Sequence, residues 1–177
     1  MNTRVRLAAF AAVLIPSLVA AQSAPVAQAF RENAADIGKN LMAAADVMPA
    51  DKYGYKPTPA QMSYGDIALH LAEGNDFLCG AIGGMKAPPR SKVAATDSKA
   101  VIVARLKETF QFCDQALAKL DDSKLTEQLP MFGGKMMSRA AVMTLTTGDW
   151  ADHYSQWAIY LRLNGQLPPT AKKPAGH

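Results

Sequence analysis

The stretch Ser63–Gly84, SYGDIALHLAEGNDFLCGAIGG, carries the clearest helix signal in the chain. Its apolar residues recur mainly at helical spacing, so that they lie on one face of a helix. Ser63 fits the N-cap position, and Asp66 three residues later can complete a capping box. The sequence therefore predicts an amphipathic helix that is stopped by the Gly83-Gly84 pair. The inward residues of this second helix are predicted to be Ile67, Leu71, Leu78 and Ile82.

Three further segments have a helical pattern. Upstream, apolar residues alternate in steps of four and three from Phe30 to Met48, after a short lead-in at 22–28. Downstream, a third helix follows a cap at Thr96 or Asp97 and continues to about residue 120. The fourth and longest helix is predicted over 138–163, before the stop signal of an Asn-Gly pair.

Four amphipathic helices with modest connections predict an all-α fold, a four-helix bundle of the up-and-down type. Between the last two helices, Pro130 and Gly133-Gly134 indicate a turn with short extended segments on either side. The chain has 177 residues, 49% of them apolar, which is enough for one domain with a proper core. We place this domain at residues 22–169 and a disordered tail at 170–177.

The N-terminus has the order of a secretory signal peptide. Arg4 and Arg6 precede an apolar run, and small residues end it at Ala20-Ala21. A membrane anchor is the alternative, but the run is short for a bilayer, which takes about 20 apolar residues. We therefore predict that residues 1–21 are cleaved and that the protein is periplasmic or secreted. No other segment of the sequence is suited to span a membrane.

The charge pattern argues against a nucleic-acid partner. Of the 19 basic side chains, Arg4 and Arg6 lie in the signal segment, whereas none of the 15 acidic ones does, so the net charge falls from +4 to +2 on cleavage. No predicted helix carries a basic stripe, which is the usual electrostatic footprint of a nucleic-acid surface.

The histidines suggest a metal site. His70 and His153 both lie in mid-helix among apolar residues, and Asp149 precedes His153 by four positions, so these two share a helix face. Two imidazoles and a carboxylate brought together in a bundle core would form a three-ligand site with open positions. The alternative is that the histidines are satisfied core residues and that Asp149 pairs with an arginine or caps its helix.

Three other polar residues near these positions have competing roles. Asp66 lies one turn before His70 and could support that ring, although capping is favoured. Gln156 lies one turn beyond His153, and a hydrogen bond on the helix surface is favoured for it. Glu73 is a candidate general base, or a solvated charge.

The two cysteines, Cys79 and Cys113, lie on the second and third helices. Export permits a disulfide, and antiparallel neighbouring helices would bring the pair within reach. The alternatives are two buried thiols or one reactive thiol.

Several separated motifs resemble the DinB family (DinB/YfiT-like metalloenzymes). The fourth helix reads DWADHYSQ over 149–156, then YLRLNG over 160–165 and a proline pair, which is similar to the family's last helix. The Pro-Thr-Pro of 57–59, the Leu-His-Leu of 69–71 and MFGGK of 131–135 resemble its loop, second helix and turn. The motifs occur in the expected order and cover most of residues 26–169.

The resemblance implies a metal site at His70, Asp149 and His153, with nickel or zinc as the divalent ion. Asp149 departs from the family pattern, which has histidine there. Some relatives transfer or isomerise thiol-linked substrates, so hydrolysis or thiol-group transfer on a small molecule is the implied activity. The alternatives are a non-catalytic small-ligand-binding module and a stress-associated bundle with a degenerate metal site. We also expect a homodimer, since bundles of this kind often pair through exposed helix faces.

Overall fold

The computed structural model of the protein describes residues 24–171. It contains four helices, α1 (Pro25–Val47), α2 (Tyr64–Gly83), α3 (Lys99–Leu117) and α4 (Arg139–Leu163). A hairpin of two short antiparallel strands, β1 (Gln128–Pro130) and β2 (Met136–Ser138), precedes α4. The predicted all-α four-helix bundle is confirmed. The predicted signal peptide and residues 172–177 of the predicted tail lie outside the described residues, whereas Thr170 and Ala171 belong to a short 3-10 helix.

Helix α1 starts at Pro25, earlier than the predicted lead-in at 22–28 allows. Proline is favoured in the first helical turn because its missing N–H needs no partner there. The backbone N–H groups of Val26 and Ala27 donate to the carboxylate of Asp122, at 3.1 and 2.8 Å. This carboxylate caps α1 from a distant part of the chain, so the sequence around residue 25 does not reveal it.

The ends of the other helices follow from local capping. Ser63 and Asp66 form the predicted capping box at the start of α2, and Gly84 ends that helix at a φ of 65°. Ser98, rather than the expected Thr96 or Asp97, caps α3, because the Asp97 carboxylate accepts from the Ala94 N–H instead. Ser138 caps α4, which agrees with the predicted start of this helix at residue 138.

Contacts along the helices give their directions. The start of α2 meets the start of α3, where Gly65 lies against Ile102, and their ends meet where Gly83 lies against Ala116. Helices α2 and α3 are therefore parallel, and the connection over 84–98 runs back along the bundle. The predicted up-and-down order is wrong for this pair, because a long connection lets two consecutive helices run in the same direction. Helix α4 is antiparallel to α2, since the Trp157 indole N–H donates to the Tyr64 carbonyl at 3.2 Å.

Helix α1 runs antiparallel to α3. The Arg31 guanidinium near its start donates to the Leu120 carbonyl at 2.6 Å, and the Lys99 ammonium donates to the Met48 carbonyl at 2.9 Å near its end. Helix α1 packs mainly on α4, and α2 packs mainly on α3. The α1–α3 and α2–α4 interfaces consequently lie on opposite sides of the bundle.

A disulfide joins Cys79 of α2 to Cys113 of α3, with 5.1 Å between the Cα atoms. We expected this pair on antiparallel helices, but the helices are parallel neighbours that stay adjacent over their whole length. Both cysteines are buried in the core. None of the described helices combines the length and apolar character that crossing a bilayer requires.

Candidate metal centre

His70, Asp149 and His153 lie together at the α2–α4 interface. Helix α2 contributes His70 from its middle, and α4 contributes Asp149 and His153 one turn apart on the same face. Because α4 is antiparallel to α2, the middle of one helix faces the middle of the other. The structure thus brings together the three side chains that the sequence singles out.

The distances within the cluster are short. The Nε2 atom of His70 lies 3.9 Å from Oδ1 of Asp149, and Nε2 of His153 lies 3.5 Å from the same oxygen. One ligand atom from each residue can be chosen so that all three lie within 4.8 Å of one another. The two imidazole rings meet edge to face, with their centroids 4.8 Å apart. The carboxylate oxygen therefore lies close to both rings.

The cluster is open on one side only. The His70 side chain is 48% exposed, Asp149 is partly buried, and the His153 side chain is only 10% exposed. Solvent and small molecules can reach the centre past His70, while His153 forms its inner wall.

The Asp149 carboxylate raises the pKa of His153. Its oxygen lies 3.5 Å from Nε2 of His153 and is the main cause of the increase, burial of the ring opposes it, and the charge of Asp152 adds to it. The Nδ1 atom of the same ring is buried, and no group in residues 24–171 forms a hydrogen bond with it. A buried polar atom without a partner is unusual in folded proteins, and functional positions are among the places where one is found.

The donor set fits a divalent transition metal. Imidazole nitrogen and carboxylate oxygen both bind such ions, at about 2.0–2.2 Å for zinc. Donors around an ion at that distance are about 3–3.5 Å apart in a tetrahedral arrangement. His70 lies 3.9 Å from Asp149, and the three donor atoms are within 4.8 Å of one another, so His70 must move closer to both residues to share an ion. His70 is the exposed member of the three, and its side chain has room to make this adjustment.

The neighbouring polar residues have structural roles. The Asp66 carboxylate accepts from the Ser63 backbone and hydroxyl, so it completes the cap and does not hold His70. The Gln156 amide donates to the Asp152 carboxylate at 2.8 Å on the surface of α4. Glu73 is exposed and makes no ion pair within the described residues.

Asn75 is an important residue that the sequence reasoning missed. It is fully buried, and its side-chain oxygen accepts from the Trp150 indole N–H at 2.8 Å while its nitrogen donates to the Thr109 hydroxyl at 3.2 Å. These bonds tie α2, α3 and α4 together next to Asp149. Its position in the sequence could have indicated this role. Asn75 comes four residues after Leu71 on the inward face of α2, where a buried polar side chain needs hydrogen-bond partners.

Four helices in this arrangement with a His-Asp-His cluster define a helical-bundle protein of the DinB type. A family model of the DinB superfamily matches residues 36–157, so the chain belongs to the DinB superfamily. No curated protein matches the chain by sequence.

Solved structures of the same fold include two bacterial DinB-like proteins. The protein from Bacillus cereus is 18% identical, with a TM-score of 0.67 over 80% of this chain and 95% of its own. The DinB-like protein YjoA from Bacillus subtilis is also 18% identical, with a TM-score of 0.61 over 85% and 99%. A histidine-to-alanine mutant of a mycothiol-dependent maleylpyruvate isomerase is 8% identical, with a TM-score of 0.61 over 73% of this chain and 59% of that enzyme. At these identities the comparisons show the fold alone.

Proposed function

We propose that this protein binds a divalent metal ion, nickel or zinc, through His70, Asp149 and His153, and that it is a metal-dependent hydrolase or thiol-group transferase. The observation that carries the proposal is the convergence of three donor atoms within 4.8 Å of one another, from two different helices. A bundle interior is a common place for such a site, because facing helices can each contribute inward side chains.

A divalent ion at this position would polarise a substrate group or lower the pKa of a bound water. The chain itself holds the ligands in place. His153 is fixed by the packing of α4, and Asp149 lies close to both rings. His70 borders the open side, so a small-molecule substrate would approach past this residue.

Two observations support a thiol-linked substrate class. One structure of the same fold is described as a mycothiol-dependent isomerase, and mycothiol is a small thiol. The family resemblance of the DWADHYSQ segment points in the same direction. We therefore place small thiols and thiol esters first among the substrates to test.

A second candidate function is non-catalytic binding of a small ligand, or a stress-associated role, in a bundle whose metal site is degenerate. The observation that favours it is Asp149, which replaces the histidine of the family pattern. In this case ligand binding would survive chelation of metals.

Metal content decides between these candidates. The purified protein is loaded with nickel or zinc, freed of unbound metal and analysed by mass spectrometry, with His153→Ala and Asp149→Asn as test variants. Asp152→Asn is the matched control, because it makes the same chemical change on the exposed side of α4. We expect about one ion per chain in the wild type and the control, and little in the test variants. A wild type without metal would rule out the metal-dependent proposal.

We also propose that the protein is exported, on the basis of residues 1–21 and with support from the disulfide, which persists in oxidising compartments. Fractionation of cells that express the full chain, followed by N-terminal sequencing, tests this proposal. Recovery of uncleaved protein from the cytoplasm would contradict it. The homodimer stays a prediction that light scattering can test.

A further inference from the structure

A recess lies on the opposite side of the bundle from the metal centre. It is a cavity of about 480 Å³ between α1 and α3, within the range of about 300–1,000 Å³ that is usual for small-molecule sites. The His-Asp-His cluster contributes nothing to its lining. The cavity is therefore separate from the site proposed above.

The floor of the cavity is apolar. Gly38 of α1 lies under the Phe110 ring, where an added Cβ would come within 3.2 Å of the ring, and Phe110 in turn meets Trp150 edge to face at 5.0 Å. Leu117 and Met42 extend this surface along the two helices. All lining residues except Trp150 belong to α1 and α3, so the cavity lies in the groove between these antiparallel helices, which is called the trough below.

The rim of the cavity is mainly cationic. Lys39 and Lys107 flank the contact between Gly38 and Phe110, and neither ammonium group forms an ion pair or hydrogen bond within the described residues. Arg31 lies further along the trough and is partly occupied by its bond to the Leu120 carbonyl. Asp114 is the one acidic residue of the lining, and burial raises the pKa of its carboxyl group. The rim thus has three positive side chains against one acid.

We infer that this cavity binds an amphipathic anion, a single acyl chain with a carboxylate head. The apolar floor takes the chain, and Lys39 and Lys107 take the head group. Such an anion matches both the apolar floor and the cationic rim. A neutral apolar ligand would leave the two ammonium groups without a charged partner, and an apolar cation would be repelled by them.

Titration calorimetry with decanoate tests the inference, with decyltrimethylammonium as a ligand of the same chain length and opposite charge. Both are kept below the concentrations at which they form micelles. We expect saturable binding of one decanoate and no binding of the cation. Trp150 lines the floor, so decanoate should also change the tryptophan fluorescence.

Variants locate the bound molecule. Lys39→Glu and Lys107→Glu should each weaken decanoate binding about five- to tenfold, since each replaces an attraction with a repulsion. Lys119→Glu is the matched control, because Lys119 is exposed just beyond the end of α3 but does not line the cavity. Asp114→Asn should strengthen binding.

Filling the trough should block the acyl chain. Ala35→Phe places a ring in the cavity, and Ala29→Phe makes the same change on an exposed position of α1 outside it. We expect the first variant to lose decanoate binding and the second to keep it, while His153→Ala binds as the wild type does.

Three results would overturn the inference. The first is equal binding of decanoate and decyltrimethylammonium. The second is an equal effect of Lys39→Glu, Lys107→Glu and Lys119→Glu on decanoate binding. The third is a dimer that Ala35→Phe dissociates while decanoate binds to neither the dimer nor the monomer. The last result would assign the trough to a second copy of the chain.

Discussion

The Nε2 atom of His153 lies 3.5 Å from Oδ1 of Asp149, one helical turn earlier on α4. The resemblance of this segment to the DinB family implies a histidine in place of Asp149, so Asp149→His is the variant that the resemblance favours for metal binding. We expect this variant to bind nickel or zinc about tenfold more tightly, equivalent to about 1.4 kcal/mol, because imidazole suits these ions well. Calorimetric titration of metal into the apoprotein measures the change, and Asp149→Asn should bind more weakly than the wild type. A weaker Asp149→His site would show that the carboxylate is the adapted ligand.

The same pair makes the stability of the metal-free protein depend on pH. The pKa of His153 is raised in the folded state, so the stabilisation is fully present below the pKa of the unfolded chain, about 6.5. It is lost as the pH rises through the higher folded-state pKa. We expect the urea midpoint to fall over this range in the wild type and to change less in Asp149→Asn. If the urea midpoint of Asp149→Asn falls with pH as steeply as that of the wild type, Asp149 is not the cause of the pH dependence.

The disulfide between Cys79 and Cys113 closes a loop with a sequence separation of 34 residues. In the chain-entropy model, a loop of this size stabilises the fold by about 3–4 kcal/mol. The double variant Cys79→Ala/Cys113→Ala should lose about this amount in urea unfolding. Reduction of the wild type should give a similar loss and should leave the double variant unaffected. If reduction has no effect on the wild type, the bond does not contribute to stability.

Asn75 should be sensitive to replacement, because it satisfies two buried groups at once. Asn75→Leu leaves the Trp150 indole N–H without its acceptor and removes the donor to Thr109. We expect a loss of about 1–3 kcal/mol in urea unfolding, which is the typical cost of an unsatisfied buried donor. Thr109→Val removes only one of the two contacts and should cost less. A larger loss for Thr109→Val than for Asn75→Leu would contradict this account.

Two glycines of α2 should respond in opposite directions to alanine. A Cβ at Gly83 would lie too close to the backbone carbonyl of Ala116, so the parallel packing of α2 on α3 requires glycine there. Overpacking of this kind costs about 1–3 kcal/mol. A Cβ added at Gly74 would have no neighbouring atom within 4 Å. Gly74→Ala should therefore stabilise the helix by about 0.5–1 kcal/mol. Thermal unfolding of both variants gives the comparison, and equal effects would show that the Ala116 contact does not matter.

Much of the local structure could be predicted from the sequence. The spacing of apolar residues identified the first helices and the Asn-Gly stop signal marked the end of the fourth, while the capping box of Ser63 and Asp66 placed the start of α2. The start of α1 could not be predicted in this way, because its cap is the distant carboxylate of Asp122. The N-cap of α3 was missed because three polar residues close together were all suitable, and only the turn made by Asp97 selects Ser98.

The three candidate ligands were identified from residue type, spacing and family resemblance. Spacing could place Asp149 and His153 on one face of α4, since a helix fixes side chains four residues apart. It could not place His70 opposite them, because this depends on how α2 and α4 pack. The cavity between α1 and α3 was not predicted, since it depends on how residues far apart in the chain pack against each other.

The sequence by itself determined the helices, most of their caps and the residue types available for a metal site, because these depend on interactions within a few residues. Only the tertiary structure decided that α2 and α3 run parallel, that His70 faces Asp149, and that Asn75 joins three helices. Each of these depends on contacts between residues far apart in the chain, and the close packing of side chains in the core selects them.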